Sequence, residues 1–216
     1  MKKYSAFIFD LDGTLMNTLG DLLDATNYML AKYGFPLCDM ECLRKAVGNG
    51  ALNQLRCCFP DTVTEEELLA YVEEYKPYYA RHCEEKTAPY EGVSELLTEL
   101  KNRGVPMAIV TNKPDEAAQR LCKRWFGEWI DLFVGERSGI PRKPAGDMVH
   151  LALKELGVDA ETAVYVGDSE VDLATARNSG LDCISCLWGF RDKEMLVELG
   201  AENLAEKPAD ILNWLV

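Results

Sequence analysis

The chain lacks any surplus of positive charge: its 216 residues carry 23 Lys and Arg against 36 Asp and Glu, a formal net charge of −13. No basic run offsets this, which argues against a nucleic-acid binder or a protein resting on anionic lipid. An anionic ligand would need local help from individual lysines or arginines. Long apolar runs are missing too, so nothing reads as a membrane span. Met1-Lys2-Lys3 is followed by only a few apolar residues before Asp10, too few for a secretory signal. Cysteine is present without the grouping that zinc requires. Cys38, Cys42, Cys57, Cys58, Cys83, Cys122, Cys183 and Cys186 are scattered, and no second Cys-x-x-Cys completes a site. Cys183 and Cys186 have redox spacing, but residues three apart on a strand point to opposite faces. Free thiols in a reducing, cytoplasmic compartment are the expectation. Internal repeats and low-complexity segments are absent as well. With 48% hydrophobic and 27% charged residues, what remains is an ordinary globular chain, long enough for one core with an inserted subdomain.

Against these absences stands one concentrated stretch, Phe7-Ile8-Phe9-Asp10-Leu11-Asp12-Gly13-Thr14. Its apolar start suits a strand buried on both faces, ending at an acidic pair. Two carboxylates one residue apart can gather a hard cation, or divide the roles of nucleophile and general acid. Gly13 allows a sharp turn and keeps side chains away from an anion held by neighbouring N–H groups. Taken alone, Asp10 and Asp12 are equally compatible with a polar loop after a strand.

Beyond this stretch the chain reads in two styles. Residues 16–88 show only helical periodicity, at 21–33, 40–47, 51–59 and 65–82, separated by Gly48-Asn49-Gly50 and Pro60-Asp61. Thr64 with Glu67 predicts a capping box for the last of these helices. From Val93 helices alternate with short apolar runs: helices at 93–103, 115–125, 145–156 and 170–179, strands at 106–110, 132–134, 163–166 and 183–187. That alternation predicts an α/β protein with a parallel sheet and crossover helices. Residues 193–216 read as two closing helices, the second begun by Pro208. The expected organisation is a core from residues 1–15 and 89–216, with a helical insert at 16–88.

In such a sheet the carboxyl ends of the strands share one edge, where ligands bind. Asp10 and Asp12, Thr111-Asn112 and Gly167-Asp168-Ser169 all fall at strand ends on that edge. Lys143, followed by Pro144 at an expected helix start, offers the missing cation. Asp172, one turn beyond Asp168, could hold Lys143, a metal or its waters.

The ordered set Asp10-Leu11-Asp12-Gly13-Thr14, Thr111-Asn112, Lys143-Pro144 and Gly167-Asp168-Ser169-x-x-Asp172 resembles the haloacid dehalogenase superfamily of phosphatases, over essentially the whole chain. Val47-Gly48-Asn49-Gly50, Thr111-Asn112-Lys113-Pro114 and Tyr165-Val166-Gly167-Asp168-Ser169 look like its phosphoglycolate phosphatase branch, although Asn17 stands where aspartate is common there. The resemblance implies a Rossmann-like core whose insert is a mobile cap, hinged near 15–19 and 87–91. It also implies a Mg²⁺-dependent hydrolase for a small phosphorylated metabolite, monomeric or homodimeric. Asp10 would be the nucleophile and form an aspartyl-phosphate, and Asp12 the general acid and base. Asp10, Asp168 and the Asp12 carbonyl would bind metal, and Thr111, Asn112 and Lys143 phosphate. In the cap, Lys45, Gly48, Asn49 and Arg56 are candidates for reading the rest of the substrate. A beta-phosphoglucomutase-like mutase, a pyrophosphatase and a non-catalytic phosphometabolite-binding protein share the core pattern and stay open.

Overall fold

In the computed structural model, which describes residues 2–216, strand β1 (Ala6–Phe9) is buried at every position. Phe7 and Phe9 enter one apolar cluster with Met107, Ile109, Val164 and Val166. Ala6 and Ile8 enter another with Ala108, Val110 and Tyr165. A strand covered on both faces belongs inside a sheet with helices on either side. Each buried Phe- or Ile-sized side chain contributes about 1.5–3 kcal/mol.

The sheet has six strands: β4 (Met107–Pro114), β5 (Leu132–Glu136), β6 (Ala163–Gly167), β7 (Asp182–Cys186) and β8 (Asn203–Ala205) join β1, in the order β5-β4-β1-β6-β7-β8, all parallel. Phe9 pairs with Ile109 on one side and Val166 on the other. That register brings Asp10, Thr111 and Asp168 to the same edge. Crossover helices are α5 (Val93–Asn102), α6 (Asp115–Phe126), α7 (Asp147–Leu156) and α8 (Glu170–Ser179). Cys186 lies in one core face and Cys183 against the other, and all eight cysteines are free thiols.

The chain divides into two compact units, one from residues up to Met16 with Pro89–Val216, the other from Asn17–Ala88. The second is helical: α1 (Leu19–Lys32), α2 (Met40–Ala46), α3 (Gly50–Cys58) and α4 (Glu65–His82). The expected capping box at Thr64 and Glu67 starts α4. Polar groups in this unit's interior are paired: buried Gln54 donates to the hydroxyls of Thr26 and Tyr75, both at 2.9 Å. Buried Asp21 accepts from the main-chain N–H groups of Glu85, Lys86 and Thr87 at 2.8–3.1 Å. Among the described residues no helix is long and apolar enough to cross a membrane.

Three expectations change. The stretches read as bare connectors contain short paired strands, β2 (Met16–Asn17) and β3 (Ala88–Pro89). The tail read as two helices holds one α-helix (Lys193–Glu198), then β8 and a 3-10 helix (Pro208–Trp214). β8 is a three-residue edge strand flanked by Glu202 and Glu206, too short for alternation to reveal it. Finally, α7 starts at Asp147 rather than 145, so Pro144 stands ahead of the helix and does not open it.

Candidate active site

Residue 10 is where β1 stops while its neighbours continue. The Asp10 N–H still donates to Val166 O at 2.8 Å, which fixes its main chain to β6. Its side chain is 10% exposed, and Lys143 Nζ lies 2.8 Å from Oδ1. The same ammonium lies 2.9 Å from Asp172 Oδ1 and donates to Tyr165 Oη at 2.9 Å. A fully desolvated ammonium is costly unless its charge and donors are met, and here two carboxylates and a phenol meet them. Burial favours the neutral amine, but Asp10 and Asp172 outweigh it and hold Lys143 well above the ordinary lysine range.

The loop carrying Lys143 is clasped from both sides. The Asn112 side chain accepts from Lys143 N at 2.9 Å and donates to Lys143 O at 3.0 Å. Asn178 of α8 donates to Pro144 O at 2.8 Å. These amides position the lysine. Asn112, whose main-chain N–H is the group expected to serve phosphate, commits its side chain to this clasp.

Asp172 is the most heavily satisfied acid of the group. Oδ2 accepts from the N–H groups of Asp168 and Ser169, both at 3.1 Å, and from Ser169 Oγ at 2.7 Å. Although burial pushes it up, Lys143 and Ser169 pull Asp172 below the usual carboxylate range. Asp168 differs: burial and the neighbouring Asp172 push it up to about 7, against the Phe190 N–H, which donates to its Oδ2 at 2.6 Å. Asp10 also sits well above the ordinary range, through burial first and then repulsion from Asp172.

Asp10, Asp168 and Asp172 each place an oxygen within 4.8 Å of the others. The donor set fits a hard dication: all are carboxylates, and the two pushed upward are those whose charge a cation would stabilise. Asp172 accepts from five donors against two on Asp168, the Thr14 hydroxyl and the Phe190 N–H, so Asp10 and Asp168 are the pair better placed to hold such an ion. Glycines let the chain close on Asp168. A Cβ at Gly13, where φ is +89°, would stand 2.3 Å from Asp168 Oδ2, and one at Gly189 would stand 2.3 Å from Asp168 Cβ.

Asp12, after β1, carries its carboxylate 3.0 Å from Lys113 Nζ. Thr111 is buried, and its Oγ accepts from Lys113 N at 3.2 Å. Thus Asp10, Lys143, Asp168 and Asp172 form one cluster with Asn112 behind it, and Thr111 joins Asp12 through Lys113. The insert candidates lie in the other unit. Lys45 pairs with Glu41 at 2.7 Å and Arg56 with Glu65 at 2.6 Å, all exposed, while Asn49 is the N-cap of α3 and Gly48 takes φ +118°. Sequence reasoning missed Lys113 and Tyr165 as site residues. Tyr165 sits mid-strand in an apolar run that reads as core, and Lys113 belonged to a motif valued for its pattern.

The family model for haloacid dehalogenase-like hydrolases matches residues 7–186. An N-acetylmuramic acid 6-phosphate phosphatase of Pseudomonas aeruginosa is 27% identical over 99% of this chain and 95% of its own length. A phosphoglycolate phosphatase of Pseudomonas savastanoi pv. phaseolicola is 32% identical over 96% of this chain and 76% of its own. Among solved structures, a provisionally assigned phosphoglycolate phosphatase from Lactobacillus delbrueckii subsp. bulgaricus superimposes with a TM-score of 0.93, at 37% identity over 99% of each chain.

Proposed function

The chain belongs to the haloacid dehalogenase-like hydrolases and is a phosphoric monoester hydrolase, and from that premise we propose that it hydrolyses a small phosphate monoester of the phosphoglycolate kind through a phosphorylated Asp10. The observation that carries the proposal is the bridge of Lys143 between Asp10 and Asp172, 2.8 and 2.9 Å away, beside the Asp168 carboxylate. A buried acid held at a strand end by a buried cation, next to donors for a dication, suits attack on phosphorus.

In the first half-reaction a carboxylate oxygen of Asp10 bonds to phosphorus as the bond to the leaving oxygen breaks. Asp12 gives that alkoxide its proton. In the second, Asp12 takes a proton from water, the water oxygen bonds to phosphorus, and the bond to Asp10 breaks to release inorganic phosphate. Lys143 spreads positive charge to the attacked group and keeps Asp10 aimed. The Thr111 hydroxyl accepts from Lys113 N and directs its own proton to a phosphoryl oxygen. Asp10, Asp168 and the Asp12 main-chain carbonyl would hold Mg²⁺, which would supply charge neutralisation on the phosphoryl oxygens.

These residues read only the phosphoryl group, so choice among monoesters is assigned to the insert, with Lys45, Gly48, Asn49 and Arg56 as candidates. The similarity to an N-acetylmuramic acid 6-phosphate phosphatase supports including sugar phosphates among the substrates. The test is phosphate release with Mg²⁺ from 2-phosphoglycolate and a panel of sugar phosphates. Release from at least one, reduced more than about 10³-fold in Asp10→Asn with the fold intact, is expected. Full activity in that variant would contradict the nucleophile assignment, and an isomerised sugar phosphate without free phosphate would mark a mutase.

A further inference from the structure

Beside the acids already described, a second buried lysine stands at the same sheet edge, with its own partner. β4 runs past the point where its regular pairing with β5 is interrupted, between Val110 and Pro114, and Lys113 lies in that irregular end. Its side chain is 2% exposed, although lysine is among the residues least often buried. A lysine so desolvated requires an anion, and Asp12 Oδ1 lies 3.0 Å from Nζ. The dependence runs both ways. Asp12 Oδ1 is itself shielded from solvent and has no aligned hydrogen bond, so the off-axis ammonium is the charge that compensates it.

The two lysines therefore divide the carboxylates between them. Lys143 serves Asp10 and Asp172. Lys113 serves Asp12, which lies beyond β1, where a single bridge to Met16 replaces the sheet's regular pairing. The main chain of Lys113 is fixed in turn by its N–H bond to Thr111 Oγ. Position is what a general acid and base needs most, since proton transfer requires hydrogen-bond contact with the reacting oxygen.

We infer that Lys113 is a positioning residue for Asp12, and that it sets how basic a leaving group the enzyme can expel. The inference rests on the phosphatase reading above, in which Asp12 protonates the leaving oxygen. An alkoxide must be protonated as it departs, whereas p-nitrophenolate leaves with little help. Losing the aim of Asp12 therefore slows expulsion of the leaving group selectively for alkyl monoesters, while hydrolysis of the phosphorylated enzyme, in which Asp12 is the base, slows equally for both substrates. A lysine that instead held the phosphoryl group would matter equally for both, because both substrates present the same group.

The test compares wild type, Lys113→Met and Lys113→Arg on 2-phosphoglycolate and p-nitrophenyl phosphate with Mg²⁺, reading kcat and KM separately. Wild-type release of phosphate from p-nitrophenyl phosphate is read first, because it tests the phosphatase reading alone. Lys113→Met is expected to slow first-turnover release of glycolate from 2-phosphoglycolate by roughly 10²-fold or more, the scale of general acid catalysis, while first-turnover release of p-nitrophenolate stays within several-fold of wild type and kcat falls on both substrates through the shared hydrolysis step. Lys113→Arg, which keeps the charge, should recover much of the loss. In an Asp12→Asn background, Lys113→Met should cost little more, because its target is already gone. Equal losses on both substrates in the first turnover, a loss confined to KM, or an undiminished effect without Asp12 would overturn the inference and leave the phosphatase reading standing. A wild type inactive on both substrates would overturn the two together. Retained first-turnover release of p-nitrophenolate also shows that Lys113→Met folds; should that variant fail to fold, Lys113→Gln is read against the same outcomes.

Discussion

At the residue scale, the site is a problem of charge in a dry place. Asp10, Asp168 and Asp172 are buried within a few ångströms of one another, an arrangement that repels itself. Lys143 relieves part of that repulsion, shared between Asp10 and Asp172 at 2.8 and 2.9 Å, and Asp172 has main-chain and hydroxyl donors on its other oxygen. Asp168 is met by the Phe190 N–H and the Thr14 hydroxyl, and its elevated range marks it, with Asp10, as an acid that a cation would stabilise. Its position depends on Gly189, whose hydrogen occupies space where a methyl would stand 2.3 Å from Asp168 Cβ and 2.5 Å from Gly13 O. Gly189→Ala must therefore displace Asp168. The Mg²⁺ concentration for half-maximal activity should rise roughly 10–100-fold, the usual cost of disturbing groups behind a metal ligand. A magnesium titration of phosphate release measures it, and an unchanged midpoint would remove Asp168 from the metal set.

At the element scale, Asp10 and Asp168 follow strand ends, Asp172 stands in the first turn of a helix and Lys143 in a loop, and Asp10, Lys143 and Asp168 are secured by bonds from neighbouring elements. The insert follows the same rule with a different acid. Asp21 of α1 receives three N–H groups from residues 85–87, the turn leading into β3. Asp21→Ala would leave those donors without their acceptor and should lower stability by about 1–3 kcal/mol. Urea denaturation measures this, and an unmoved midpoint would show that water replaces the carboxylate at no cost. These elements also show what could be read in the sequence. β1, β4 and β6 announced themselves because a buried strand is a continuous apolar run, and their polar ends followed from the rule that parallel strands share an edge. β8 could not, since three residues carry no period. Lys113 and Tyr165 were obscured for another reason: their roles arise only when the sheet sets β4 beside β1 and β6, and no local pattern in either segment signals a partner. Lys143 was legible as a candidate cation, but the Asn112 and Asn178 clasps that aim it span 31 and 34 residues.

At the scale of the whole molecule, a net charge of −13 means that recognition of a phosphate ester cannot come from the average field. It has to be built locally, from two buried lysines, main-chain donors and a dication held by acids that would otherwise repel one another. The division of the chain into an α/β unit carrying the chemistry and a helical unit of residues 17–88 separates the phosphoryl problem from the substrate problem. That separation is consistent with relatives that share this core while acting on phosphoglycolate in one case and N-acetylmuramic acid 6-phosphate in another. The claim on which the account rests is that phosphorus passes through Asp10. Acid-quenched single turnover with a radiophosphate-labelled substrate, followed by peptide mapping, tests it most directly. The account expects transient label on the peptide containing Asp10, lost in Asp10→Asn and prolonged in Asp12→Asn. Turnover with no labelled enzyme at any time, or label that maps to another residue, would contradict it.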